Sequence, residues 1–232
     1  GKAFEVKSID KFYGIQSLFN IDEAFKKRPD MVFITNPSSL HVDIAIEAAK
    51  NKCNLFIEKP LSNSYKNIDE LKKIIKRENI YATVAYQSKY NPSHKMIKDI
   101  IKSKQFGEVI SANFKWGTFL PDHHPYEDYK KSYASRKDLG GGVVLGLSHE
   151  IDIVRDFFGI PSNIEAREIR EKSLNLEVED SVHINFSYTM QDSKFDINLF
   201  LSYAQPVEER FFKIEFSDAV LICNLITNEI SI

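Results

Sequence analysis

Four stretches of the chain gather side chains able to move a proton, hold an anion or stabilise developing charge. In Leu55-Phe56-Ile57-Glu58-Lys59-Pro60, an apolar run ends abruptly in an acid, a base and a proline. The run reads as a buried parallel strand, and Pro60 cannot extend its ladder. Lys59 is thereby set at the carboxyl end of a strand, where open α/β sheets take their ligands. In Thr35-Asn36-Pro37-Ser38-Ser39-Leu40-His41 a strand end leads into a helix start. Free backbone N–H groups there suit an anion or a ribose hydroxyl, and Ser38 or Ser39 equally serves as a plain helix cap. His149 and Asp152 lie three apart, on one face of a helix, after Gly140-Gly141-Gly142. A carboxylate beside an imidazole orients it as a general base, although a core histidine has the same spacing. The fourth stretch, Leu120-Pro121-Asp122-His123-His124-Pro125-Tyr126-Glu127-Asp128-Tyr129, with Tyr133 and Arg136 behind it, is irregular and rich in hydrogen-bonding groups, as binding loops are. His123, His124, Glu127 and Asp128 raise zinc as a second reading, but adjacent histidines chelate poorly and no Cys or spaced His supports it. No metal is expected.

The elements that must position these residues follow from hydrophobic periodicity. Phe12 and Tyr13 close a first helix that begins before Ile9, with Phe4 and Val6 in it and Gly14 as its stop. Residues 16–19 read as a short strand, and Asn20 caps a helix at 21–27. Strands at 30–35, 55–57 and 83–86 alternate with helices over 42–49 and 64–77. Short connections between them argue for right-handed crossovers and a doubly wound parallel sheet. After Tyr90 the grammar changes. A helix at 93–102 is followed by strand patterns at 109–116, 182–190, 195–203, 211–216 and 220–223, with one helix over 143–158 closed by Gly159. Two domains are expected, 1–90 and 91–232, the second a mostly antiparallel open sheet. Phe186, Tyr188, Phe195, Phe200 and Tyr203 exceed what one face of a small sheet needs, which suggests contact with another subunit.

Composition excludes several classes. The net charge is -2 across 232 residues, so no basic field invites nucleic acid. No apolar run reaches membrane-spanning length. Cys53 and Cys223 are far apart in apolar settings, as in a reduced cytoplasmic protein.

Taken in order, 30–41, Glu58-Lys59-Pro60, 86–92, 107–109, the triple glycine and His149-x-x-Asp152 resemble the Gfo/Idh/MocA oxidoreductases, which include glucose–fructose oxidoreductase and inositol dehydrogenase. The loop over 120–136 is similar to a branch associated with polysaccharide gene products. The resemblance implies a Rossmann domain holding NAD or NADP and an open-sheet domain for a sugar, nucleotide-sugar or cyclitol substrate. It also implies a homodimer or homotetramer. Carried over position by position, it makes Lys59, His149 and Asp152 catalytic. It lines the cofactor with Thr35, Asn36, Pro37, His41, Glu58, Lys59 and Gln87. It gives the substrate Lys59, Tyr86, His124, Tyr133, Arg136 and His149.

Two departures accompany it. The chain contains no Gly-x-Gly-x-x-Gly phosphate loop, which the family pattern places ahead of residue 1, so the sequence reads as a fragment without its ends. Leu145 and Gly146 stand where the family carries an acid. A non-catalytic relative that binds a sugar or a partner is therefore the alternative.

Overall fold

The computed structural model describes residues 9–169, 174–190 and 193–232. The chain divides into two compact units, 1–85 and 86–232. Phe4, Val6 and the polar residues Gln191 and Asp192 lie outside the described residues.

In the first unit, β1 (Met31–Ile34), β2 (Asn54–Ile57) and β3 (Ala82–Val84) form a parallel sheet in that order. Ile34 pairs with Ile57 and Ile57 with Val84, so the strands end together. Helices α1 (Ile9–Tyr13), α2 (Ile21–Lys26), α3 (His41–Lys50) and α4 (Ile68–Glu78) complete it. The core joins Ile34, Leu55 and Ile57 to Ala45, Ala49, Leu71 and Ile74. Asn20 caps α2 through its side-chain oxygen, which accepts from the Asp22 amide at 2.8 Å. Two expectations fail. Residues 16–19 form no strand, and Phe19 is fully exposed. Helix α4 starts four residues late, because the Ser62 and Ser64 hydroxyls accept from the Ser64 and Lys66 amides and hold a local turn instead.

The second unit opens with α5 (Pro92–Ser103), capped by the Asn91 side chain. Its sheet contains β4 (Val109–Phe119), β5 (Asn163–Ile169), β6 (Ser181–Met190), β7 (Ser193–Ser202), β8 (Ala204–Phe216), β9 (Val220–Asn224) and β10 (Glu229–Ser231). The order is β10-β9-β8-β4-β7-β6-β5; β4 and β7 run parallel, every other pair antiparallel. Three short pieces follow β4: α6 (Leu120–His123), α7 (Val143–Gly146) and α8 (His149–Phe158). The predicted single helix over 143–158 is thus broken at Leu147-Ser148, which makes His149 the first residue of a helix rather than an interior one.

Burial alternates along β6 and β7, as a sheet with one covered face requires. Ile153, Val154, Phe157 and Phe158 of α8 share the core with Phe114, Leu199 and Phe212. Phe186, Tyr188, Phe195 and Tyr203 are buried with that core. Of the five aromatics assigned to a subunit contact, only Phe200 remains on the other face, where its ring stacks on His183. That face is polar. In register across β4, β7 and β6, Asn185 donates to Asn198 and Asn198 to Asn113.

Candidate active site

In the first unit the apolar centres of β1 and β2 end at buried Ile34 and Ile57. The following residues emerge side by side, because the Glu58 amide donates to the Ile34 carbonyl at 2.8 Å. Thr35 and Asn36 are exposed; Pro37, Glu58 and Lys59 are half-buried. The Glu58 carboxylate turns back to accept from the Lys59 amide at 3.1 Å. The Lys59–Pro60 peptide is cis. The edge therefore offers a hydroxyl, an amide, a carboxylate and an ammonium, a donor set that fits ribose hydroxyls and a carboxamide.

His41 is buried, its Nδ1 lies 2.8 Å from the Pro60 carbonyl, and its Nε2 lies 2.7 Å from the Asn36 carbonyl. The ring thereby ties the two strand-end turns together.

In the second unit the triple glycine sets the approach to α8. Gly142 has φ 110°, and a Cβ on Gly141 would lie 2.6 Å from the Tyr133 and Ala134 carbonyls. Larger residues would push the 133–134 loop away. The Glu179 carboxylate accepts from the Val144 amide and fills the space a Gly142 side chain would need.

His149 is buried, with the Tyr86 ring edge-on at 5.7 Å and the Trp116 ring at 6.4 Å. Tyr86 donates to the Ser148 hydroxyl at 3.3 Å. Burial raises the Tyr86 phenol above its ordinary range, the Ser148 hydrogen bond offsets part of that, and Asp152 adds to it. Asp152 is half-buried on the face of α8 that carries His149. Its carboxyl is pushed up by burial and by Asp156, against the pull of Lys89, Arg155 and His94. A carboxyl held up in this way is of the kind found where proton transfer is tuned. One turn further on, Asp156 takes hydrogen bonds from Lys98 at 2.5 Å and pairs with His94 at 2.9 Å. Burial would raise its carboxyl, but these partners bring it below the usual range.

The 120–139 loop separates its predicted residues. His123 turns to Thr118 at 2.9 Å and His124 to Tyr126 at 3.0 Å, so the two do not converge. Among the described residues no group of three His, Cys, Asp or Glu side chains is placed to hold a metal. Tyr133 is exposed. Arg136 makes a two-pronged contact with Asp138, at 3.0 and 2.6 Å, and together with Lys130, Lys131 and Glu177 lines an open cavity of about 540 Å³. Gln87 is exposed in the turn after Tyr86.

Three residues around His149 went unnoticed in the sequence. Trp116, the single tryptophan, carries no signal beyond its place in a strand pattern. Arg210 and Glu150 sit in charged runs that look like solvated surface.

The chain thus joins a parallel strand–helix unit with polar strand ends to an open mixed sheet whose covering helix begins at a buried histidine. Residues 2–86 match the oxidoreductase family with an NAD-binding Rossmann fold, and residues 94–216 match the GFO/IDH/MocA C-terminal domain. The chain belongs to the Gfo/Idh/MocA family. A levoglucosan dehydrogenase of Pseudarthrobacter phenanthrenivorans is 30% identical over 142 residues, which are 60% of this chain and 36% of that protein. The chain thus spans about a third of the length of that relative. Among solved structures, an inositol dehydrogenase homologue complexed with NAD+ from Azotobacter vinelandii superposes with a TM-score of 0.81 at 13% identity, covering 93% of this chain and 59% of that one. The WlbA dehydrogenase from Chromobactrium violaceum, in complex with NADH and UDP-GlcNAcA, gives 0.80 at 18% identity, covering 96% and 64%. These likenesses establish the fold, and none favours the non-catalytic alternative. Among the described residues no helix is long and apolar enough to cross a membrane.

Proposed function

We propose that the protein of which this chain is part is an NAD(P)-dependent dehydrogenase acting on a ring hydroxyl of a sugar, nucleotide sugar or cyclitol. One feature in each unit supports the reading. Glu58-Lys59 stands at a parallel strand end, and buried His149 stands at the head of α8 with Asp152 on its face. The nicotinamide supplies the hydride acceptor. In the first unit, Thr35, Asn36, Pro37 and Glu58 would hold its ribose, and the Lys59 ammonium would hydrogen-bond the reacting oxygen and stabilise negative charge there. In the second, His149 takes the hydroxyl proton, with Asp152 holding the imidazolium that results. Tyr86 and Gln87 stand at the entrance to that unit, as substrate and cofactor contacts respectively. Arg136, with Lys130 and Lys131 around the open cavity, suits the hydroxyls or phosphates of the substrate; His124 and Tyr133 belong to the same loop. The polar open sheet face meets a second copy to form a homodimer or homotetramer, and the reaction runs in the cytoplasm.

The test is turnover by the full-length protein. Purified protein is mixed with NAD or NADP and a panel of free sugars, cyclitols and nucleotide sugars, and nicotinamide reduction is followed. Reduction with at least one substrate class supports the reading, provided that His149→Asn abolishes it. Absence of NAD and NADP binding in a calorimeter ends it.

A further inference from the structure

A charged assembly stands directly behind the histidine. Trp116 of β4 and Arg210 of β8 are opposite one another in the antiparallel ladder. That register lays the Arg210 guanidinium flat on the indole, its Cζ 3.8 Å from the ring centroid. The indole N–H donates to Glu208 at 3.2 Å, which fixes the ring plane. From this platform Arg210 Nε donates to Glu150 Oε1 at 2.6 Å. Glu150 is the second residue of α8, only 1% exposed, and next in sequence to His149. A carboxylate so deeply buried is sustained by its ionic partner. The Trp116 ring also lies near the imidazole, with its centroid 6.4 Å from that of His149.

We propose that Arg210 is a positioning residue for His149: stacked on Trp116 and bound to Glu150, it locks the first turn of α8 and balances the buried carboxylate beside the imidazole. The inference rests on His149 being the proton acceptor for its catalytic meaning, but not for its physical content. The Ser148 cap position makes no side-chain hydrogen bond to the helix, so the first turn is held from its side rather than its end. Among the described residues, the charged and titratable groups near the imidazole include Glu150 and Asp152 on its own helix, Tyr86 edge-on to the ring, and Arg210 on the Trp116 indole. Replacing Arg210 removes the guanidinium that balances the Glu150 charge next to the ring. A negative neighbour favours the imidazolium, so the ring then holds its proton to higher pH.

The experiment is an NMR titration of histidine-labelled full-length protein, with the His149 signal assigned by its loss in His149→Asn. Arg210→Gln is expected to raise the titration midpoint of His149 by about half a pH unit or more. Glu150→Gln, nearly isosteric, is expected to lower it by a similar amount, and the double variant to return it towards the wild-type value. Arg210→Lys keeps the charge and is expected to leave the midpoint in place. If Arg210→Gln fails to fold, Glu150→Gln alone decides the question. A midpoint that moves in neither charge-removing variant overturns the proposal, as does a fall in Arg210→Gln. Because the titration needs no turnover, its outcome stands apart from the dehydrogenase assignment, which the sugar panel tests.

Discussion

The Tyr203 hydroxyl occupies the space into which any side chain at position 146 would project: a Cβ on Gly146 would lie 1.6 Å from it. Tyr203 is almost fully buried, and its ring is edge-on to His123. An acid at position 146 has no room here. Gly146 is therefore a packing requirement of α7 on β7's end. Gly146→Ala should destabilise the protein by about 1–3 kcal/mol through overpacking. Adding Tyr203→Phe to Gly146→Ala should recover part of that loss. Thermal melts of the two singles and the double measure the coupling; fully additive losses would show that the two residues do not compete for the space.

His41 gives a second prediction. Its ring spans the Asn36 and Pro60 carbonyls inside the first unit. His41→Leu keeps the volume but removes the ring from between the Asn36 and Pro60 carbonyls, at about 1 kcal/mol for the lost hydrogen bond. Denaturant melts should show the loss. Because both tied turns carry cofactor candidates, NAD(P) affinity should weaken as well. A His41→Leu protein with unchanged melting and affinity would remove the tie from the account.

The third concerns alkaline pH. Burial pushes the Tyr188 phenol up to about 12 from an ordinary value of 10.0. Its hydroxyl donates to the Gly159 carbonyl at 3.4 Å, and its ring stacks on Phe195. The folded state thus holds this proton more tightly than the unfolded chain does. The resulting stability is fully present below pH 10 and is lost as pH rises from about 10 to about 12. Melting temperature should fall across that window, and less steeply in Tyr188→Phe. Identical slopes in the two proteins would count against it.

The fourth concerns assembly. Asn198 lies at the centre of the polar face, between Asn113 and Asn185. Asn198→Lys would put a cation at the middle of a packed sheet face. Light scattering should then show smaller species than for the wild type. A wild-type protein that is monomeric at every concentration would dispose of the face as an interface.

Much of this architecture was legible because the patterns that mark it are physical. A continuous apolar run bounded by polar residues gave β1 and β2, and the clean alternation along β6 and β7 gave a sheet covered on one side. What escaped lacked such patterns. Every residue of β5 up to Glu168 is exposed, so neither face of this edge strand carries a hydrophobic signal. The break at Leu147-Ser148 is invisible to a helical period that continues on both sides of it. A count of rings does not say which way they point, and Phe186, Tyr188, Phe195 and Tyr203 all turn into the core. In the site, Lys59 and His149 announced themselves by type and position. The Trp116–Arg210–Glu150 assembly did not, since it joins residues from β4, β8 and α8 that only the register brings together.

The central claim is that Lys59 takes part in hydride transfer. Lys59→Met keeps the volume of the stem and removes the charge. Measured in the full-length protein with a substrate found in the panel, kcat should fall by about a hundredfold or more, the effect of losing one preorganised donor to developing negative charge. The NAD(P) dissociation constant should change far less. A Lys59→Met enzyme with wild-type kcat, and only a few tenths of a kcal/mol less stability as for an exposed ion pair, would contradict the account at its starting point.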